Sequence, residues 1–231
     1  MENEIKVEKM PLGEKIKKFF VKPSELFAQY KETPKYGKLF LIIGIVYFII
    51  TIVGRLALGA ISKEQLMEST QNAEAAQIAV NLTNSPVFTA IIAIFAVIGV
   101  YIVIYIASFV YYLLVKLFKG NIKYNQMVSI YSLSYIAVLI GSVIQLLYSL
   151  IAKKPSADAA AAATATDVLI KNLNLFGIWQ MVLLVFGISE VSEISKKKAI
   201  IIVLIVWVLA LGLGLLMLSL GNSLKSIAPT A

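Results

Sequence analysis

Five apolar runs, at approximately 39–61, 87–115, 126–152, 168–188 and 199–220, occupy about half of this 231-residue chain. A bilayer core about 30 Å thick is crossed by ~20 apolar residues in a helix, and each run is long enough. Inside lipid the backbone has no water to bond to, so an apolar run must satisfy its own amides, which an α-helix does and an open strand does not. The runs therefore predict an all-α, polytopic membrane protein with five transmembrane helices and a short amphipathic amino-terminal head. The corresponding division is a head over 1–38, a five-helix membrane domain over 39–220 and a short tail over 221–231.

Composition removes several classes of chemistry. Hydrophobic residues make up 59 % of the chain and charged ones 15 %, far from the balance of a soluble domain. Without cysteine there is no disulfide, thiolate metal site or cysteine nucleophile. Without histidine the commonest general base and metal ligand are gone too. No catalytic residue, cofactor or metal site is expected. The net charge of +8 points to anionic lipid rather than nucleic acid as the polyanion it meets.

The lysines are unevenly placed. Nine lie between Lys6 and Lys38, three (Lys116, Lys119, Lys123) surround the turn between the second and third runs, and Lys196 to Lys198 precede the fifth. Positive residues stay on the cytoplasmic side during insertion. The head and both short turns are thus expected in the cytoplasm, with the carboxyl terminus outside after five crossings. Arg55 and Lys171 sit near the outer ends of spans one and four, where a long cation reaches the headgroups.

Within the head, residues 1–10 alternate in charge and are expected to be disordered. Leu12, Ile16, Phe19 and Phe20 then fall on one helical face with lysines opposite, the pattern of a helix lying in a membrane interface. Pro23-Ser24-Glu25 opens a second helix whose apolar side is Leu26, Phe27 and Tyr30, and Pro34 closes it. Lying on lipid and docking a partner are the two readings, lipid being favoured. Outside, a short helix is expected around Ala73–Val80, Asn81-Leu82-Thr83 matches a glycosylation sequon, and the alanine-rich stretch near 157–163 reads as a spacer.

Polar residues recur at helical spacing inside the spans. Tyr101, Tyr105, Ser108 and Tyr112 share a face of span two; Tyr131, Ser134, Gly141, Ser142, Gln145 and Ser149 line span three; Asn174, Gly177 and Gln180 extend the pattern to span four. Such stripes mark faces packed against other helices, with hydroxyls and amides bonded across the contact. The alternative is a polar cavity between spans two, three and four for a headgroup or small solute. Span five is nearly all apolar and belongs at the lipid periphery. Glu190 and Glu193 share a helical face just before the lysine triplet, and read as a helix-end charge pattern or a partner contact.

Three segments carry a family resemblance: Phe19-Phe20-Val21-Lys22-Pro23-Ser24-Glu25-Leu26-Phe27, the turn Leu117-Phe118-Lys119-Gly120-Asn121-Ile122-Lys123-Tyr124, and Gly177-Ile178-Trp179-Gln180 with the following Gly187-Ile188-Ser189-Glu190. In order and pattern the chain resembles the Yip family of Ypt/Rab-interacting integral membrane proteins, in a short prokaryote-type form. Family members commonly show a glycine pair where this chain has Lys119-Gly120, and often a proline where Tyr135 stands. The resemblance implies five spans, a cytoplasmic amino terminus and a non-enzymatic role; the Rab binding of eukaryotic members is not carried over to so short a head. The function expected is membrane organisation or an adaptor role through the basic cytoplasmic face, with Phe19, Phe20, Phe27, Lys119, Glu190 and Glu193 as interaction residues. The expected partners are anionic lipid and membrane or cytoplasmic proteins. The second reading is a small transporter, channel or lipid-handling protein using the cavity.

Overall fold

A computed structural model describes residues 11–58, 73–83, 85–152 and 173–227, with isolated positions between 164 and 169. The described residues form helices and no strands: α1 (Leu12–Val21), α2 (Pro23–Glu32), α3 (Gly37–Leu58), α4 (Ala73–Thr83), α5 (Pro86–Leu117), α6 (Tyr124–Ala152), α7 (Leu175–Ser192) and α8 (Lys196–Ile227). Five of them, α3, α5, α6, α7 and α8, are long and apolar enough to cross a membrane. The first ten residues, the alanine-rich spacer and Lys171 lie outside the described residues.

Local chemistry sets the boundaries. Pro23 occupies the first turn of α2, where its missing N–H leaves no helical bond unmade. Ser85 caps α5 by accepting from the Phe88 amide, with Pro86 behind it. Span four begins later than the apolar run suggests, because the Asn174 side chain accepts from the Gly177 amide at 2.8 Å and starts α7 there. The short helix α4 extends through the sequon, where Asn81 accepts from Gln77.

Two cores hold the bundle. The smaller, Ile43, Val100, Ile104, Tyr135 and Leu139, joins α3, α5 and α6. Gly44 permits the close approach of α3 and α5: a Cβ there would overlap the Tyr101 hydroxyl, which donates instead to the Phe40 carbonyl at 2.7 Å. The larger core gathers α5, α6, α7 and the first turns of α8, and four of its members come from the head: Phe19, Leu26, Phe27 and Tyr30. Beyond Val203, α8 presents mostly exposed apolar side chains, as a helix bordering lipid does.

The polar stripes bond differently from the sequence expectation. Ser129, Ser132 and Ser142 each donate to the carbonyl four residues back in α6, and Ser134 to Tyr131 three back. A serine is too short to compete with its own helix for a partner across the groove. Tyrosine reaches further. The hydroxyls of Tyr47 and Tyr135 meet at 2.7 Å between α3 and α6, within a run of ring contacts from Tyr47 through Tyr135 and Tyr131 to Tyr111.

A composite basic end as candidate functional site

The lysine-bearing end of the bundle is assembled from four pieces of chain. The first is α2, whose apolar side, expected on lipid, packs into the protein core instead. It lies along α7, and Phe27, with no exposed surface, fills the site opened by Gly187. A Cβ at Gly187 would stand 2.6 Å from Ile130 Cγ2 and 3.0 Å from the Phe27 ring. Only glycine lets α2 and α6 approach α7 here together.

Polar contacts fix the end of α2. The buried Gln126 accepts from the Lys123 amide and donates through Nε2 to the Lys31 carbonyl, both at 2.7 Å. The Lys31 ammonium meets the Glu193 carboxylate at 2.6 Å. This hydrogen-bonded pair holds the Glu193 carboxyl below, and the Lys31 ammonium above, its ordinary range. For the depressed carboxyl the contribution is present above the unfolded pKa and lost as pH falls through the folded one; for the raised ammonium it is present below the unfolded pKa and lost as pH rises through the folded one. Both groups are exposed, so the contribution is small and screened by salt. Protease cleavage in the head should therefore rise modestly on acidification through the Glu193 titration, and Glu193→Gln should remove that dependence.

The two hairpin tips are tied to each other. The Asn121 amide donates to the Ser192 carbonyl at 3.0 Å, and Lys198 Nζ reaches the Phe118 carbonyl at 3.4 Å. Lys119 and Glu193 both stand in the left-handed region, at φ 62° and 58°. Glycine adopts that conformation without strain. At position 120, by contrast, a Cβ would stand 2.5 Å from Val115 Cγ1 and 3.1 Å from its carbonyl oxygen. The turn thus has one position that needs glycine for space and another that would accept it for conformation. Lys119→Gly is expected to raise stability by about 0.5–1 kcal/mol, measured as the unfolding midpoint in detergent, whereas Gly120→Ala should lower it.

These contacts place α2, both tips and the head of α8 in one surface, with Lys35, Lys38, Lys116, Lys119, Lys123 and Lys196 to Lys198 exposed upon it. A family model described as the Yip1 domain matches residues 17–218. The chain belongs to the Yip1 domain family. No curated protein and no solved structure matches it significantly. The Yip1 domain match begins within α1, so α2 lies inside the domain, consistent with its place in the larger core.

Within this Yip1 domain the candidate interaction residues divide. Phe19 and Phe27 are buried in the core and offer nothing to a partner. Phe20 is half exposed and stacks on Trp179 at 6.3 Å. Lys119 and Glu193 are exposed, and Glu190 is half-buried near the Lys31–Glu193 pair.

The candidate cavity residues divide too. Gln145 is exposed on the outside of α6 and Asn174 is a helix cap, so neither joins an interior polar site. Tyr101 bonds α3, Tyr105 packs beside Tyr36 and Phe40 at the surface, and the Ser134 and Ser142 hydroxyls are taken by their own helix. Gln180 remains inside, next to the Tyr131 hydroxyl. Its Nε2, with Trp179 Nε1 and Ser108 Oγ, is buried without a hydrogen-bond partner among the described residues. Arg55 lies over the Phe88 ring at 5.8 Å. The sequence reading passed over Gln126 and Tyr111; a glutamine at the start of an apolar run was the available signal for the first.

Proposed function

We propose that this Yip1 domain protein is a non-enzymatic membrane organiser or adaptor, with its basic composite end in the cytoplasm of a prokaryotic cell and its carboxyl terminus outside. The observation that carries the reading is the docking of α2 on α7. It joins four distant stretches of chain into one exposed, lysine-rich surface held by Gln126, the Lys31–Glu193 pair and the tip-to-tip bonds. Such a surface suits anionic headgroups and acidic protein segments, while family membership alone does not fix the partner. A photo-crosslinker placed at Lys119 in native membranes should capture a discrete protein or lipid adduct, reduced when Lys116, Lys123 and Lys197 are changed to glutamine. Cross-linking indistinguishable from that of a crosslinker on exposed α8 would contradict the reading. Protease protection of a carboxyl-terminal tag from the outside would overturn the orientation.

The second reading, a small-solute or lipid-handling path, draws on Ser108 Oγ, Trp179 Nε1 and Gln180 Nε2, which are buried without a hydrogen-bond partner among the described residues. Unpartnered donors in a low-dielectric interior cost free energy unless something bonds them. Gln180→Leu separates the cases: unchanged stability with lost flux in liposomes supports a path, and raised stability without any flux supports packing.

A further inference from the structure

We infer that the head carries a charged groove at mid-membrane depth, over which phospholipid headgroups pass between the leaflets while their acyl chains stay in the bilayer. Three contacts set the depth: Phe20 on Trp179, Phe27 against Gly187 and Lys31 on Glu193. They follow the same order along both segments, so α2 runs parallel to α7. At 1.5 Å per residue, Gly187 stands about 9 Å and Trp179 about 21 Å from the Glu193 end. Acyl chains reach almost to that end. Leu41, Leu113 and Ile200 are exposed there, each about one turn from the basic end of its own span. A core about 30 Å thick that begins at this level has its midplane about 15 Å in, between Gly187 and Trp179.

Charged side chains occupy that interval. Lys22 and Glu25 lie between Phe20 and Phe27 in the chain, and so between those two levels. Lys22 meets Glu25 at 3.0 Å, and Lys18 bridges Glu25 at 3.3 Å and Glu14 at 2.9 Å. With Lys17 and Val21 these four line an open groove of about 200 Å³. Pairing lowers the cost of holding ionised groups in a low dielectric. Glu14, Lys17, Lys22 and Glu25 nevertheless remain exposed. Ionised groups that persist at such depth mark a path for a polar species.

Two features select that species. The groove has three lysines against two glutamates, which leaves one positive charge, the complement of a single phosphodiester. Beside it α1 exposes Leu12, Ile16, Phe20 and Val21, on which acyl chains can lie. A phospholipid matches both surfaces at once, whereas a soluble anion matches only the first. Toward the basic end the exposed Lys31 and Glu32 continue the polar surface to the leaflet there. Beyond Trp179 less than about 10 Å of core remains to be crossed. This inference shares with the lipid-handling reading only the class of molecule moved, since the route runs over the head and not through the interior polar groups.

The test uses the full chain, purified and reconstituted in phosphatidylcholine–phosphatidylglycerol vesicles with a trace of tail-labelled NBD-phosphatidylglycerol or NBD-phosphatidylcholine. Dithionite bleaches the outer leaflet only, so protein-free vesicles keep half of their fluorescence. The unaltered chain should take the signal well below half, while a soluble NBD dye trapped inside stays bright. Combining Glu14→Leu, Lys18→Leu, Lys22→Leu and Glu25→Leu should return it to half, with limited proteolysis showing the head still seated. Lys17→Glu, at an exposed site, turns the lining net negative and should slow the phosphatidylglycerol probe several-fold relative to phosphatidylcholine. Bleaching that stops at half with the unaltered chain, or a preference unmoved by Lys17→Glu, would overturn the groove. Flux kept in the four-leucine variant but lost in Gln180→Leu would overturn it too, and leave an interior lipid path standing. Absent flux with copies cross-linked through Lys17→Cys would give the groove to a second copy of the chain. The cross-link at Lys119 tests the adaptor reading whichever way the vesicle result falls.

Discussion

Phe27→Ala should destabilise the protein by about 3–5 kcal/mol, the range for removing a fully buried phenylalanine from a core. The side chain belongs to a short helix near the amino terminus, where a lipid-lying segment would lose little on truncation. Here it is wholly buried among α2, α6 and α7. The cavity left would be bordered by Ile130 and the Gly187 backbone, and α7 cannot collapse into it without disturbing Ile188 and Leu184. Denaturant titration in detergent, with limited proteolysis of the head, measures both the loss and its location. A change below about 1 kcal/mol would be the surface value and would place Phe27 outside the core.

Gly187→Leu attacks the same contact from the other side. Its Cβ alone would come within 2.6 Å of Ile130 and 3.0 Å of Phe27. Neither neighbour is free to swing away, since both are fully buried. Overpacking of this kind costs about 1–3 kcal/mol when the site can shift and more when it cannot. The expected relief is expulsion of α2, seen as cleavage in the Thr33–Tyr36 connection with the spans still folded. Combining Gly187→Ala with Phe27→Leu should cost less than the sum of the two single changes, because they share one space. Strict additivity would mean that the two residues do not touch.

The spans were legible because lipid imposes a length and composition that few other environments demand. Pro23 likewise announced the start of α2, whereas α8 begins at Lys196, with the lysine triplet inside its first turn rather than before it. The docking of α2 was not legible. Leu26, Phe27 and Tyr30 make the same apolar stripe whether they face acyl chains or another helix, since both are equally apolar. What distinguishes the cases is Gly187, 160 residues away, and one sequence gives no reason to pair it with Phe27. The start of span four differed because the apolar Val168 to Ile170 suggest an earlier beginning, although Asn174 followed by Gly177 was a readable cap. In the polar stripes, residue type and spacing were correct guides to a face but not to a bond. Ser132 and Ser142 turn back to carbonyls of their own helix, whereas Tyr47, Tyr101 and Tyr135 are long enough to cross.

The fixed seat of the head on span four is open to one direct measurement. The chain contains no cysteine, so Lys31→Cys with Glu193→Cys introduces the only two thiols, at positions whose side chains meet in the structure. Treated in native membranes with a short bis-maleimide, the double variant should cross-link internally in most molecules, giving a faster-migrating band that each single variant lacks. A yield no higher than that of Lys31→Cys paired with a cysteine substituted at exposed Leu209 would contradict a docked head, and with it the composite surface.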